Sequence, residues 1–273
     1  MKISKDTNLY ISIAERPGNL GSVLFNTLFE KLALNAIYKP FLVKAGDLRL
    51  AIEGIRGLNI RGCGVSMPHK IKVIRYLDAI DDTAGKIGAV NTIVNNNGNL
   101  KGYNTDFEAV KLLTKTDYDV RGTNVLVAGA GGAARAIVAA LKENGAGNIF
   151  ITNRNDRKGK KFTKEFSANY VSWKDRSALS GEMLVNATPL GMKKNDPCVF
   201  MDETVNNFKT VMDVIVSSQD TYLVKKAKEL GKKVLPGIKM ASLQGQMQFK
   251  LYTGIEVPVK IVEQSIEIFL NNN

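Results

Sequence analysis

Histidine and cysteine are scarce in this chain of 273 residues, which has one histidine, His69, and two cysteines, Cys63 and Cys198. A zinc site needs about four such ligands, so we expect no metal, and a Ser-His-Asp hydrolase would depend on the single histidine. The cysteines show no metal or redox spacing, which favours a reducing, cytoplasmic setting without a structural disulfide. Long apolar runs are missing too, and residues 1–12 lack the apolar core of a signal peptide, so we expect no membrane span.

Acidic residues are fewer than basic ones: 26 Asp and Glu stand against 38 Lys and Arg, which gives a formal net charge of +12. Such an excess favours anionic partners, whether nucleic acid, acidic lipid or a phosphorylated small molecule. The basic clusters at 158–161 and 225–228 have helical spacing without interleaved aromatic residues, which is typical of a solvated helix face. We therefore predict a small anionic ligand, and no nucleic-acid or membrane partner.

The first part of the chain alternates short β-branched runs with stretches of helical apolar spacing. We expect strands at 9–13, 37–43, 64–66, 90–94 and 100–103, and helices at 23–34, 47–58 and 68–77. The Asn-Gly-containing run 95–99 predicts a tight hairpin, because Asn and Gly adopt positive φ at little cost.

The second part repeats the alternation of strand and helix from about residue 105. We expect strands at 124–128, 148–152, 182–186, 210–216 and 233–235, and helices from the glycine turn to about 144, at 156–166 and at 222–230. Two further helices fill 242–273, separated at 254–258. Such βα repetition predicts a parallel sheet flanked by helices, so the chain has two α/β domains with a helical tail.

A glycine-rich turn follows the first strand of the second part, with the sequence GAGGA at 129–133. Glycine at such a turn lets a pyrophosphate approach the backbone N–H groups at the positive end of the next helix. Ala134 stands where a third glycine is common, and alanine is allowed there because that position only packs helix against strand. We predict a dinucleotide site; the alternative is a turn that serves packing alone.

The end of the next strand identifies the dinucleotide. An NAD site offers Asp or Glu to the ribose there, whereas this chain has Asn153 and Arg154. Arg154 can hold a 2′-phosphate with Arg157 or Lys158 as a second charge, and we expect Asp156 to cap the following helix. NADP is therefore favoured over NAD, although ordinary surface cations would give the same pattern.

Polar residues also follow the predicted strands of the first domain, where ligands bind in open α/β sheets. Each has a simpler explanation: Lys70 as a helix-surface cation, Asn91 as a turn former, and Asp106 as the cap of a helix at 107–113.

Together these segments resemble the shikimate dehydrogenase family. The motifs are VSMPHK at 65–70, GAVNT at 88–92, NTD at 104–106, GAGGA at 129–133, NATPLGM at 186–192 and GIKMASLQ at 237–244. The resemblance implies a substrate domain at 1–104, on which 241–273 pack back, and a Rossmann NADP-binding domain at 105–240. It implies reversible NADPH-dependent reduction of 3-dehydroshikimate to shikimate, in the pathway to aromatic amino acids.

The same resemblance implies roles for individual residues. The catalytic lysine and aspartate fall on Lys70 and Asp106, and substrate-binding positions fall on Ser66, Asn91 and Gln244. The predicted cofactor-binding set is Gly129, Ala130, Gly131, Gly132, Ala133, Asn153, Arg154, Lys158, Thr188, Val214 and Gly237.

The chain departs from the family where the substrate carboxylate should bind. The usual Ser-x-Ser pair is replaced either by Ser12 with Ala14 or by Asn19 with Gly21, and Arg16 is a candidate replacement donor. A tyrosine expected near the nicotinamide is replaced by Val216. A divergent paralogue acting on quinate or another cyclic hydroxy acid, or a non-enzymatic NADP(H) sensor, is the alternative. We expect a monomer or homodimer.

Overall fold

The computed structural model describes residues 3–193 and 195–271. The chain divides into two compact units, of which the first comprises residues up to Thr105 together with those from Ser242 onward, and the second comprises Asp106–Ala241. Each unit contains a six-stranded sheet. Both are α/β, as the alternation of strands and helices predicted.

The elements of the first part are β1 (Asn8–Ala14), α1 (Leu20–Lys31), β2 (Ala36–Leu42), α2 (Leu48–Gly57), β3 (Gly62–Val65), β4 (Ala79–Ile80), α3 (Asp82–Ile87), β5 (Thr92–Asn96) and β6 (Asn99–Tyr103). Their sheet has the order β2-β1-β3-β5-β6-β4 and is mixed, because β5 runs antiparallel to both β3 and β6. The predicted hairpin joins β5 to β6, with positive φ at Asn97 and Gly98.

The remaining elements are α4 (Thr105–Thr116), β7 (Val125–Ala128), α5 (Gly132–Glu143), β8 (Ile149–Thr152), α6 (Asp156–Phe166), β9 (Asn169–Val171), β10 (Gly181–Asn186), α7 (Asp202–Asn206), β11 (Phe208–Asp213), α8 (Tyr222–Glu229), β12 (Lys233–Leu235), α9 (Gly237–Thr253) and α10 (Val259–Asn271). The second sheet has the order β12-β11-β10-β7-β8-β9 and is parallel throughout. The strand order reverses at β7, so the glycine turn after β7 lies where open parallel sheets bind nucleotides.

The bounds of several expected elements differ in the structure; the helix expected from 242, for example, begins at Gly237. The helix expected at 68–77 is wrong: a turn leads into a short 3-10 helix, Lys72–Tyr76, and the buried ring of His69 in that turn is held by the carbonyl of Val43. The strand expected at 210–216 ends at Asp213, so the loop after it begins three residues earlier. The short elements β4, α3, β9 and α7 were not expected.

An aromatic cluster joins the C-terminal helices to the first sheet. Phe25 of α1 stacks on Tyr38 of β2 at 4.6 Å and on Phe249 of α9 at 6.4 Å between ring centroids. Tyr10 donates its hydroxyl to the carbonyl of Tyr252 at 3.1 Å. These rings are buried, so α9 is fixed to the first unit along the half that carries Phe249.

Gly62 gives a test of this packing. A Cβ at Gly62 would lie 2.5 Å from two ring carbons of Tyr252, which is itself buried and cannot move aside. We expect Gly62→Ala to lower the free energy of unfolding by about 1–3 kcal/mol. Gly54→Ala is the matched control, since nothing lies within 4 Å of its Cβ in α2, and it should stabilise by about 0.5–1 kcal/mol. Urea denaturation measures both, and a Gly62→Ala protein as stable as Gly54→Ala would contradict the packing.

Candidate active site

The predicted substrate-binding residues of the first unit lie at one edge of its sheet. The backbone N–H of Val65, at the end of β3, donates to the carbonyl of Asn91 at 2.7 Å. The N–H of Asn91 donates in turn to Tyr103, the last residue of β6, at 3.0 Å. The carboxyl ends of β3 and β6 therefore meet the start of β5 at Asn91, although Asn91 is distant from both in sequence.

The side chain of Asn91 joins two elements and is only 4% exposed. Its Oδ1 accepts from the backbone N–H of Thr105 at 2.9 Å and from the hydroxyl of Thr92 at 2.9 Å. Its Nδ2 donates to Thr105 Oγ1 at 3.0 Å. Asn91 therefore ties the start of β5 to the start of α4, and its second Nδ2 proton is the group that it can still offer.

Lys70 lies in the turn after β3, half-buried, and not on a helix. Its carbonyl accepts from the N–H of Val90 at 2.8 Å, which fixes the backbone of the turn. The neighbouring His69 is 1% exposed and its Nε2 donates to the carbonyl of Val43 at 2.8 Å. His69 therefore anchors the turn that carries Lys70.

Asp106 is buried, at 5% exposure, in the first turn of α4. The helix begins at Thr105, so Asp106 is inside the helix and does not cap it from outside. A carboxylate in a first helical turn is favoured by the helix dipole. The preceding Asn104 donates Nδ2 to the carbonyl of Ala89 at 2.8 Å, which anchors the chain as it enters α4.

The loops after β1 and β3 are joined by their backbones. The N–H of Glu15 donates to the carbonyl of Met67 at 3.1 Å, and the N–H of Ser66 donates to that of Ile13 at 2.9 Å. Ser66 and Arg16 therefore belong to adjacent loops, and both are exposed. This arrangement leaves a guanidinium and a hydroxyl accessible at the same edge of the sheet.

Tyr38 packs against Gly21, one of the positions at which the usual serine pair is missing. A Cβ at Gly21 would lie 3.0 Å from Tyr38 Cε1, so a serine there would crowd the ring. Burial raises the pKa of the Tyr38 hydroxyl above its ordinary value. Ser12 lies within β1 and is only partly exposed, whereas Arg16 is exposed in the loop after β1, so Arg16 is the more accessible donor for a carboxylate.

The glycine turn of the second unit fits a dinucleotide phosphate. Gly129 has φ +121°, and a Cβ there would lie 2.7 Å from the carbonyl of Ala187, so no side chain fits. Gly131 caps α5 in extended conformation, with nothing within 4 Å of its Cβ. The first turn of α5 has neither an acidic residue nor a side-chain cap. Its N–H groups can therefore receive an anion. Ala134 is fully buried, as expected for a packing position.

The end of β8 carries the predicted adenosine-binding residues. Asn155 caps α6 by accepting from the N–H of Lys158 at 2.9 Å, so the expectation that Asp156 is the cap was wrong. Asp156 begins the helix and accepts from the hydroxyl of Tyr170 at 2.6 Å. Asn153 donates to the carbonyl of Asn155 at 2.9 Å, while the side chain of Arg154 is exposed. Arg154 is thus available to an anion, as are Arg157 and Lys158.

A buried network that the sequence did not reveal holds the next two loops. Asp213, at the end of β11 and 1% exposed, accepts from Thr221 Oγ1 at 2.7 Å, Asn186 Nδ2 at 3.0 Å and Ile215 N–H at 3.1 Å. Asn186 Oδ1 accepts from the hydroxyl of Thr188 at 2.7 Å. Burial raises the pKa of Asp213, and these hydrogen bonds oppose the shift. An aspartate directly after an apolar strand is the signal that could have identified it.

Gly237 completes the edge of the second sheet. A Cβ at this first residue of α9 would lie 2.2 Å from the carbonyl of Ile215, so the start of α9 is pressed against the loop that contains Val214. The predicted cofactor residues thus follow β7, β8, β10 and β11 or begin α9, all at the carboxyl edge of one sheet.

Two kinds of feature are missing from the described part of the chain. No helix in 3–193 or 195–271 is long and apolar enough to cross a membrane. Within the same residues, no group of three His, Cys, Asp or Glu side chains could hold a metal ion.

A two-unit α/β fold with a glycine turn at the switch point of a parallel sheet defines a class of dinucleotide-binding proteins. Comparison with known proteins narrows that class. Residues 20–93 match the family described as the shikimate dehydrogenase substrate binding domain, and residues 111–186 match the family described as shikimate / quinate 5-dehydrogenase.

Individual relatives match over most of their length. A shikimate dehydrogenase (NADP(+)) of Aquifex aeolicus is 37% identical over 249 residues, 91% of each chain. A shikimate dehydrogenase-like protein of Haemophilus influenzae is 37% identical over 254 residues, 92% of each chain. The solved structure of shikimate 5-dehydrogenase from Thermus thermophilus, in complex with NADP(H) and shikimate, has a TM-score of 0.81 at 26% identity and covers 96% of this chain and 99% of its own. The chain belongs to the shikimate dehydrogenase family, which confirms the resemblance.

The Asp213 network predicts a stability effect in the second unit. We expect Asp213→Ala to lower the free energy of unfolding by about 1–3 kcal/mol, because Asn186 and the Ile215 N–H lose a buried acceptor. Asp220→Ala is the control, since it removes only an exposed ion pair with Lys228 and should change stability little. Equal urea stability of the two variants would contradict the role of Asp213.

The raised pKa of Asp213 also fixes the sign of the pH dependence. A carboxyl whose pKa is raised by folding contributes stability that is present below its unfolded pKa and is lost as pH rises through the folded pKa. The stability difference between wild type and Asp213→Ala should therefore narrow from acidic to neutral pH in a urea series.

Proposed function

We propose that the chain is an NADP-dependent dehydrogenase that interconverts 3-dehydroshikimate and shikimate. The observation that carries the proposal is the placement of the family's polar motif residues, with Asn91 at their centre, at one edge of the first sheet. Family membership at 37% identity to a shikimate dehydrogenase (NADP(+)) supports the same reaction.

The first unit offers groups suited to a ring acid. Asn91 presents an Nδ2 proton and Gln244, half-buried on α9, presents its carboxamide; both suit ring hydroxyls. Ser66 is exposed beside the loop that carries Arg16, and a guanidinium can hold a carboxylate through two parallel hydrogen bonds. Arg16 therefore takes the part of the missing serine pair.

Lys70 and Asp106 supply the proton chemistry. Reduction of a ketone places negative charge on its oxygen, and Lys70 gives that oxygen a proton; in the reverse direction it receives the proton from the hydroxyl. The backbone hydrogen bond from Val90 and the anchor at His69 hold the turn that carries the lysine. The family resemblance gives Asp106 the part of orienting the lysine. Proton transfer of this kind contributes a factor of about 10² to 10⁴ in rate.

The second unit holds the cofactor. Gly129, Gly131 and the first N–H groups of α5 receive the pyrophosphate, and Arg154 with Lys158 binds the 2′-phosphate. Thr188 and Val214, held by the Asp213 network, line the loops at the nicotinamide end. NADP(H), when bound, supplies or accepts the hydride.

Lys70 gives a direct test of the reaction. We expect Lys70→Met to lower kcat for NADP reduction by shikimate at least about a hundredfold, because the proton donor is lost. Lys72→Met is the matched control, since Lys72 is an exposed lysine two residues along. Initial rates measured spectrophotometrically distinguish the two variants. A Lys70→Met enzyme as fast as Lys72→Met would contradict the role of Lys70 as proton donor.

Arg154 gives a separate test of the cofactor. We expect Arg154→Ala to raise KM for NADP at least about tenfold and to leave KM for NAD unchanged, because a charge-assisted hydrogen bond to the 2′-phosphate is worth roughly 1.5–3 kcal/mol. Lys164→Ala, an exposed cation on the following helix, α6, should change neither value. An equal rise in KM for NADP and in KM for NAD would show that Arg154 does not bind the 2′-phosphate.

The altered carboxylate loop favours one second candidate, a related cyclic hydroxy acid such as quinate. In either alignment a serine of the usual pair is missing, at Ala14 or at Gly21, so a ring acid with a different carboxylate position would suit Arg16. A higher kcat/KM for quinate than for shikimate would select this candidate. Stabilisation by NADP(H) without turnover of either acid would point instead to a cofactor sensor.

A further inference from the structure

Gln248 is a buried carboxamide that no part of the proposed mechanism uses. It lies on α9 one helical turn after Gln244 and is 5% exposed, beside the buried ring of Phe249. Burying a carboxamide without hydrogen-bond partners would destabilise the folded state, so the partners of Gln248 indicate its role. Both ends of this side chain have partners.

Its two hydrogen bonds connect the candidate substrate groups. Gln248 Oε1 accepts from Gln244 Nε2 at 3.1 Å, and Gln248 Nε2 donates to Thr92 Oγ1 at 2.9 Å. The Thr92 hydroxyl then donates to Asn91 Oδ1 at 2.9 Å. A continuous relay therefore runs from Gln244 to Asn91, although the two residues are far apart in sequence.

The relay fixes which atom of each residue donates a hydrogen bond and which accepts one. Thr92 Oγ1 accepts a hydrogen bond from Gln248 Nε2, and the Thr92 O–H donates its own hydrogen bond to Asn91 Oδ1. Asn91 Oδ1 also accepts from the N–H of Thr105, so Asn91 offers a ligand its second Nδ2 proton. Gln244 Nε2 donates a hydrogen bond to Gln248, so Gln244 offers its Oε1 to a ligand as an acceptor.

The side chain of Gln248 also lies against a glycine of β3. A Cβ at Gly64 in β3 would lie 3.5 Å from Gln248 Nε2 and 2.8 Å from the Tyr38 hydroxyl. The carboxamide of Gln248 is thus seated against β3 as well as β5. The relay is built into the sheet and does not depend on a mobile surface group.

We propose that Gln248 is a positioning residue that sets the hydrogen-bonding polarity of Gln244 and Asn91 toward the substrate. An acceptor on one side and a donor on the other match a hydroxyl pair of the ring, in which one hydroxyl donates to Gln244 Oε1 and the other accepts from Asn91 Nδ2. This inference rests on the proposed function. It adds a specificity role to a residue that touches no substrate itself.

The test removes the carboxamide and keeps the volume. Gln248→Met should raise KM for shikimate about tenfold, which is the effect of losing one hydrogen bond to the substrate. We expect kcat to stay within about twofold of the wild-type value and KM for NADP to be unchanged. Thr92→Val breaks the same relay from the other side with an isosteric apolar residue and should give the same result. Gln246→Met is the matched control, because Gln246 on the same helix donates to the carbonyl of Val257, outside the relay.

A double-mutant cycle separates positioning from mere stability. Because part of the effect of Gln248 passes through Gln244, adding Gln248→Met to Gln244→Ala should raise KM by a smaller factor than Gln248→Met does in the wild-type enzyme. A Gln248→Met enzyme with the wild-type KM, or an additive double variant, would overturn the inference while the proposed function stands. A wild-type enzyme that does not oxidise shikimate would instead overturn the proposed function, and this inference with it.

Discussion

Buried polar groups without partners are costly, and this constraint organises the candidate substrate site. Asn91 illustrates it: its carboxamide is buried and forms hydrogen bonds with both Thr92 and Thr105. Removing any of these bonds would loosen the start of β5 or the start of α4. The same hydrogen bonds leave one Nδ2 proton of Asn91 unused. The need to pair buried polar groups therefore also determines which donor Asn91 presents to a ligand.

The second unit meets the same constraint with a charged group. Asp213 accepts three hydrogen bonds at the end of β11, and through Asn186 it fixes the loop that carries Thr188. The groups that we expect to bind an anion in this unit are backbone N–H groups and exposed cations. Only a small part of the net charge of +12 belongs to the proposed site: we expect Arg154 and its neighbours to bind a 2′-phosphate, while many other lysines lie on exposed helix faces.

Local signals in the sequence predicted much of the fold. The bounds of α6 and β12 agree with the expectation, and the hairpin at Asn97 and Gly98 and the glycine turn at Gly129 have positive φ. These features depend on residues adjacent in the chain. The helix expected at 68–77 is instead a turn and a short 3-10 helix, and the hydrogen bond from His69 to Val43 that holds this turn joins residues 26 apart in the sequence.

The parts of the site that the sequence could not predict are long-range. Gln248 has ordinary helical spacing from Gln244, and only the fold shows that its amide reaches Thr92 across 156 positions. Asp156 is a good cap by composition, yet Asn155 takes that position one residue earlier. The crowding of Gly21 by Tyr38 likewise follows from packing α1 against β2.

A crystal structure of the protein with shikimate tests the central claim most directly. The account predicts ring hydroxyls within about 2.7–3.2 Å of Gln244 Oε1 and Asn91 Nδ2, with the carboxylate on Arg16. A ring bound away from the edge where β3, β5 and β6 meet would contradict it, as would Gln244 donating its nitrogen to the ring.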